Sequence, residues 1–352
     1  MKIHVAMADR GACGHYRMKW PAEAMQRAGL DVEIHEPGPM DWLPIQIGVD
    51  AVSGRPSGRT IIGGSFDHID VLVIQRPLTW RAAAGFEVLR QNGVRVVVDL
   101  DDDLSSLHAR HGMWHRVHPR YNQESNFLHL QKATKSADAL VGATPAIAAR
   151  YGGAGRGVVV ENCVPREWLD AERTEQHDRL VVGWTGKIAT HPDSLNVPGV
   201  GLSRALAATG SDFRVIGDAT GVAEQAGLDT LTEIPGVALM EYPTQVAQLD
   251  VGIAPLADSA FNRAKSWLKP LDYAATGVPF VCSPTPEYER FCAQGVGLIA
   301  TKPKDWERQL KRLLTDRSFA AEQSEAGREI AARWTFDQHV EEWYEAWSGV
   351  KA

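Results

Sequence analysis

Residues 265–282 read KSWLKPLDYAATGVPFVC. The pattern predicts a short helix over 266–276, a tight turn, and a buried strand over 279–281. Lys265 and Lys269 are four residues apart, a spacing that puts both on one helix face. Asp272 follows three residues beyond Lys269, on the same side. Two cations beside one carboxylate suit a nucleotide diphosphate, with lysine for the phosphates and aspartate for ribose hydroxyls. Gly277 suits the C′ position that ends a helix, and Pro279 prevents continuation.

Outward from this stretch, short apolar runs alternate with helical patterns. Strands are predicted at 3–7, 32–34, 71–74, 94–98, 139–141 and 158–160, and helices at 16–28, 80–91, 121–136 and 145–150. A second series has strands at 180–182, 213–216, 237–239, 251–253, 279–281 and 297–299, with helices at 194–208 and 245–249 among those between them. Such alternation indicates α/β architecture, with mostly parallel sheets covered on both faces. The polar stretch DAERTEQHD (170–178) separates the series. It divides the chain into an N-terminal domain over 1–170, a C-terminal domain over 171–330 and a final helical segment over 331–352. The C-terminal helices are predicted at 304–315, 318–333 and 336–347, the last with Val340, Trp343, Tyr344 and Trp347 at helical spacing. Residues 48–66, rich in Gly, Ser and Arg, read as a long mobile loop.

The chain has 352 residues, 44% hydrophobic and 23% charged, which suits a globular protein of about two domains with a substantial core. A net charge of −7 argues against nucleic-acid binding as the main role. Cys13, Cys163, Cys282 and Cys292 show no C-x-x-C spacing, favouring reduced thiols and a cytoplasmic setting. The N-terminus runs straight into a strand and a glycine turn without the features of a signal peptide. No apolar run is long enough for a membrane span. Of eleven tryptophans, Trp42, Trp80 and Trp114 fall in or near predicted loops; packing is the favoured role for tryptophans here over stacking on a sugar.

Several constellations could carry chemistry. In DRGACGHYR (9–17) a glycine turn opens a helix and can bring backbone N–H groups to an anion. A tight strand-to-helix connection is the plainer alternative. DLDDDL (99–104) follows a strand and admits three readings. These are a metal-binding D-x-D, a metal-free carboxylate cluster at the strand's carboxyl edge, and a helix cap at Asp103 or a neighbour. In the second reading, Asp101 or Asp103 orients or deprotonates an acceptor hydroxyl. His108, His111, His115 and His118 have ligand-like spacing, but Gly112 and Pro119 favour a loop in which His115 or His118 touches a substrate.

KPLDYAATGVPFV (269–281) resembles the donor-binding segment of nucleotide-sugar glycosyltransferases of GT-B architecture. In retaining members that segment ends in Glu-Ala-x-Ala-x-Gly-x-Pro, and its Glu holds the donor ribose. Asp272 stands at that position, and Ala264 stands where a second Glu is frequent eight residues earlier. VGWTGK (182–187) resembles the opening of the donor domain, with Lys187 replacing an arginine, and DVGIAPL (250–256) resembles the strand before the donor helix. These matches span most of 180–300; the first domain is similar mainly in layout. The resemblance implies two Rossmann-like domains facing a cleft, with C-terminal helices crossing back to the first. It implies a hexosyltransferase-like enzyme moving a sugar from a nucleotide-diphosphate sugar to an acceptor hydroxyl, with retention and without metal or other cofactor. Donor contacts would come from Gly14, Arg17, Gly186, Lys187, Lys265, Ser266, Lys269 and Asp272, and catalytic groups from Asp101, Asp103 and His115. The acceptor is open among protein, lipid, glycan and small molecule. An epimerase or hydrolase on the same fold, and a non-catalytic nucleotide-sugar binder, are the alternatives.

Overall fold

A computed structural model describes residues 1–38, 45–49, 56–64, 66, 68–118 and 126–351. They fall into two compact units. The first comprises Met1–Leu107, Met113–Asn162 and Phe336–Ala352, and the second His108–Gly112 and Cys163–Thr335.

In the first unit six parallel strands, β1 (Ile3–Ala6), β2 (Val32–His35), β5 (Val71–Gln75), β6 (Arg95–Leu100), β7 (Ala139–Gly142) and β8 (Gly157–Val159), form one sheet in the order β2-β1-β5-β6-β7-β8. Apart from Arg95, every residue of β5, β6 and β7 is buried. Helices on both faces cover a central parallel sheet, so its strands carry near-continuous apolar runs instead of alternating ones. Within 48–66, an antiparallel ribbon of β3 (Ile45–Val49) and β4 (Pro56–Gly64) replaces much of the expected loop. Residues 39–44 with Trp42, 50–55, and 119–125 with Pro119 lie outside the described residues.

The second unit repeats the plan. Its strands are β9 (Val181–Lys187), β10 (Asp212–Asp218), β11 (Thr232–Ile234), β12 (Val251–Ala254), β13 (Phe280–Cys282) and β14 (Leu298–Ile299), all parallel, in the order β11-β10-β9-β12-β13-β14. Numbered from the first strand of the unit, this is the doubly wound order 3-2-1-4-5-6, whose direction reverses between β9 and β12. The strand expected at 237–239 is instead a turn into the helix Tyr242–Val246, with the amides of Glu241 and Tyr242 bonded to the Ala238 carbonyl. Pro235 and Gly236 (φ +60°) end β11 and leave no room for more strand before that turn.

The polar stretch 170–178 is stitched to the second unit. Arg173 forks onto Asp250 at 2.7 and 3.2 Å, and the Gln248 side chain accepts from the Thr174 and Glu175 amides. The change of unit therefore falls at 162/163. Residues 336–352 belong to the first unit, where the helix Val340–Ser348 buries Trp343 and Trp347. Trp168, Trp267 and Trp306 are equally buried in the second unit. Trp80 and Trp114 each begin a helix, and Trp114 stacks on His118 at 3.6 Å.

Candidate functional site

In the second unit, polar side chains gather beside the carboxyl ends of β9 and β12, where the strand order reverses. Crevices at such switch points take ligands in open α/β sheets because neighbouring loops diverge there. The second helix after β12 runs Leu268–Ala275. Pro270 in its first turn needs no amide partner, and the helix closes with the Gly277 amide on the Ala274 carbonyl and the Val278 amide on the Tyr273 carbonyl. Gly277 has φ +69°, and a Cβ there would lie 2.3 Å from the Arg328 guanidinium. Because the helix starts at Leu268, Lys265 lies outside it. The expected shared face of Lys265 and Lys269 gives way to a turn in which the Lys265 ammonium covers the Phe261 ring at 4.4 Å.

Lys269 is half-buried and bonds the Thr185 hydroxyl of β9, with the Tyr242 hydroxyl at 3.4 Å. Tyr242 donates to Thr185 at 2.9 Å or to Asp272 at 3.2 Å. Burial lowers the Lys269 pKa, Asp272 opposes that shift, and Lys265 adds to it. Burial and the Asp272 charge together push the Tyr242 phenol well up. The product is a cation held on a frame of hydroxyls with one carboxylate behind it. Asp272 is only 3% exposed, so here it supports Tyr242 and Lys269 from beneath. Ser266 is half-buried in the turn before the helix. Gly186 and Lys187 end β9; Lys187 is exposed and pairs in register with Asp218. Ala264 is buried at the end of the short helix Ala260–Arg263. Two cavities of this unit lie around Arg179, Asp212 and Thr232, at the amino ends of the strands and away from Lys269.

The first unit departs further from the sequence expectations. Gly14 approaches the backbone so closely that a Cβ would lie 1.9 Å from the Asp9 carbonyl oxygen. The amides of the glycine turn already have an anion, since Gly11 and Gly14 donate to the Asp9 carboxylate at 2.7 and 3.4 Å. Arg17, expected near donor and acceptor, is wholly buried. Its guanidinium forks onto Asp99 at 2.8 and 3.0 Å, donates to the Val160 carbonyl and Asn162, and lies 4.5 Å over Trp343. Burial pushes the Asp99 carboxyl up to about 6, with Arg17 pulling the other way.

Asp103 is a structural carboxylate. It caps the turn Leu104–Ser106, accepting from the Ser105 amide and hydroxyl and from Tyr151, with Arg150 at 3.3 Å. Asp101 is buried beside Arg76 at 3.7 Å, and its Oδ1 has no hydrogen-bond partner among the described residues. His115 is exposed on the short helix Trp114–Val117, which replaces the loop expected there. His108 and His111 belong to the second unit, His108 3.7 Å from Asp193 and His111 edge-on to Phe261, while His115 and His118 belong to the first, where His118 lies on Trp114.

Asp9 and Arg76 were not singled out by sequence reasoning, yet both line a cleft of about 530 Å³ at the carboxyl ends of β1 and β5, with Met7, Trp80, Arg81 and Arg116. Arg76 bonds Asp9 and holds φ +45°, a strained backbone for a non-glycine residue of the kind that clusters at functional sites. Burial disfavours its charge, but Asp101, Cys13 and Asp9 outweigh that and raise its pKa. Thr185 and Tyr242 were also missed. Thr185 sits inside the quoted GWTGK motif; Tyr242 has no local signal at all.

No protein-family model and no curated protein matches the sequence. Solved structures do. Anabaena HepE in complex with UDP-glucose is 14% identical over 99% of this chain and 100% of its own, with a TM-score of 0.63. A glycosyltransferase from Rickettsia africae is 11% identical over 98% of each chain, at 0.65. Sucrose-phosphate synthase from Thermosynechococcus elongatus is 12% identical over 97% of this chain and 96% of its own, at 0.63. The chain therefore has the two-sheet α/β fold of GT-B proteins.

Proposed function

We propose that the protein is a glycosyltransferase that moves a sugar from a nucleotide-diphosphate sugar to an acceptor hydroxyl, with retention and without a metal. The observation that carries this reading is the Lys269 ammonium, mounted on Thr185 and Tyr242 at the switch point of the second unit. A nucleoside diphosphate is the leaving group of such a reaction, and its negative charge grows as the glycosidic bond breaks. A cation already fixed in a low-dielectric setting stabilises that charge without reorganising during the reaction. Lys269 is assigned to the diphosphate, with Lys265 and Lys187 as further cations, Gly186 and Ser266 as backbone and hydroxyl contacts, and Asp272 as the group that positions Lys269. The solved UDP and UDP-glucose complexes of HepE, at this fold, support a nucleotide-sugar donor. The acceptor is assigned to the cleft of the first unit. There Trp80 offers a stacking face, and Asp101, buried behind the cleft-lining Arg76 at 3.7 Å, is assigned to orient the acceptor hydroxyl through that guanidinium. No helix among the described residues is long and apolar enough to cross a membrane.

The test is a panel of UDP-, GDP-, ADP- and dTDP-sugars, read by thermal stabilisation and nucleotide release with and without EDTA. A selective donor that survives EDTA and loses affinity in Lys269→Met supports the proposal. Activity abolished by EDTA and restored by magnesium or manganese but not by zinc sinks the metal-independent mechanism. Turnover of donor without any acceptor points to an epimerase or hydrolase, and binding without turnover to a non-catalytic binder.

A further inference from the structure

At one edge of the first unit's sheet, β1 and β2 pair in parallel with His4 opposite Glu33 and Ala6 opposite His35. Side chains alternate between faces along a strand, so His4, Glu33 and His35 stand on the same face. Ala6 beside His35 is small and leaves the imidazoles room to converge. We infer that these three residues form a binding site for one transition-metal ion, with zinc as the ion that best fits the donors.

One ligand atom from each residue lies within 4.8 Å of the other two. His4 Nδ1 and His35 Nε2 are 2.8 Å apart, and His35 Nε2 is 3.6 Å from a Glu33 oxygen. Metal–ligand bonds of about 2.0–2.1 Å in a tetrahedron set ligand atoms about 3.3 Å apart. The two observed separations bracket that value, and the third, between His4 and Glu33, lies within 4.8 Å, with His4 Nε2 3.8 Å from the carboxylate, so side-chain rotation alone can close the site. Two imidazoles and one carboxylate leave a fourth position for water or a further ligand, and nitrogen-rich donor sets select zinc, nickel and copper over magnesium and calcium. His68, with its ring edge-on to His4 at 5.6 Å, stands next to the group.

The surroundings suit the assignment. His4 is 2% exposed, while Glu33 opens to solvent and provides an entry path. The ammonium of Lys2 holds the other Glu33 oxygen at 3.2 Å and so orients the carboxylate, as outer partners do around metal ligands. His35 is followed directly by Glu36 and Pro37, which line the first unit's cleft. A bound ion would fasten the end of the edge strand β2 to β1 and fix that wall of the cleft. The site is separate from the Lys269 group and does not depend on the donor being a nucleotide sugar.

The test uses the full chain, stripped with chelator and dialysed. Zinc chloride is titrated calorimetrically, and cobalt(II) binding is followed by visible absorption. The expected result is one equivalent of metal with the intense cobalt bands of a tetrahedral site. Glu33→Gln and His35→Ala should each weaken zinc binding by at least about tenfold, and a His108→Ala, His115→Ala double variant should bind as the parent does. Glu33 is exposed enough that its variant folds even if His35→Ala does not. Absence of stoichiometric binding, binding indifferent to both ligand variants, or binding lost in the double variant would each overturn the inference and leave a hydrogen-bonded histidine pair.

Discussion

Replacing Asp99 by alanine separates a structural Arg17 from one that contacts substrate. Both partners are completely buried, and three further groups surround the guanidinium: the Val160 carbonyl, the Asn162 side chain and the Trp343 ring. Asp99→Ala leaves that guanidinium in the core without its counter-ion, a change that costs about 3–5 kcal/mol in comparable buried pairs. For a unit of this size each kcal/mol lowers the melting temperature by about 2–4 °C, so a fall of roughly 6–20 °C is expected. The converse change, Arg17→Met, should be milder, because burial already brings the Asp99 pKa to about 6 and a proton can neutralise it. The double variant Arg17→Met, Asp99→Ala replaces both charges with apolar groups and should recover about 1–4 kcal/mol relative to Asp99→Ala. Urea unfolding of the four proteins, closed as a double-mutant cycle, reads the coupling directly. Nucleotide affinity, measured well below the melting transition, should stay within roughly twofold, since the Lys269 group lies in the other unit. A loss below about 1 kcal/mol for Asp99→Ala, or additivity in the cycle, would refute the structural assignment of Arg17.

Three other outcomes follow from the geometry. Lys269→Met removes a charge-assisted contact of about 1.5–3 kcal/mol, so nucleotide-diphosphate Kd should rise roughly 10- to 100-fold by calorimetry; an unchanged Kd would place the diphosphate elsewhere. Gly14→Ala forces a methyl onto the Asp9 backbone carbonyl and should destabilise the first unit by about 1–3 kcal/mol, read as a lower urea midpoint; an unchanged midpoint would rule out the close approach. In the chelator-stripped, metal-free protein, burial, with help from His4, lowers His35 from 6.5 to about 4 against the opposing pull of Glu33. The unfolded chain therefore binds more protons between those values. Stability is held above pH 6.5 and lost as pH falls toward 4, by up to roughly 3 kcal/mol. His35→Phe should flatten the profile in that window, and a profile unchanged by that substitution would contradict the shift.

Much of the layer plan was legible because its signals are local. Apolar runs such as 94–98 and 139–141 need only a few adjacent residues to declare a strand buried on both faces. The end of the helix Leu268–Ala275 was equally legible, since a glycine followed two residues later by proline can terminate a helix in few ways. Short edge elements were harder. Three residues form β11, and their pairing depends on β10 more than on their own propensities. The ribbon in 48–66 was hidden for a related reason, because Gly and Ser carry little strand signal until two segments pair.

The chemistry divides along the same line. Sequence alone established two consecutive α/β series, a lysine-bearing segment after the fourth strand of the second, and an aspartate run at a strand end, because these depend on spacing along the chain. Which charges are available to a ligand was settled only by folding, which decides desolvation and partnership. Folding spends Arg17 on Asp99, Asp103 on a cap, and the glycine-turn amides on Asp9. It mounts Lys269 on Thr185 and Tyr242, which lie 84 and 27 residues away along the chain. Local spacing places a side chain on an element; only the packing of distant elements determines whether its charge meets a partner, a ligand or water.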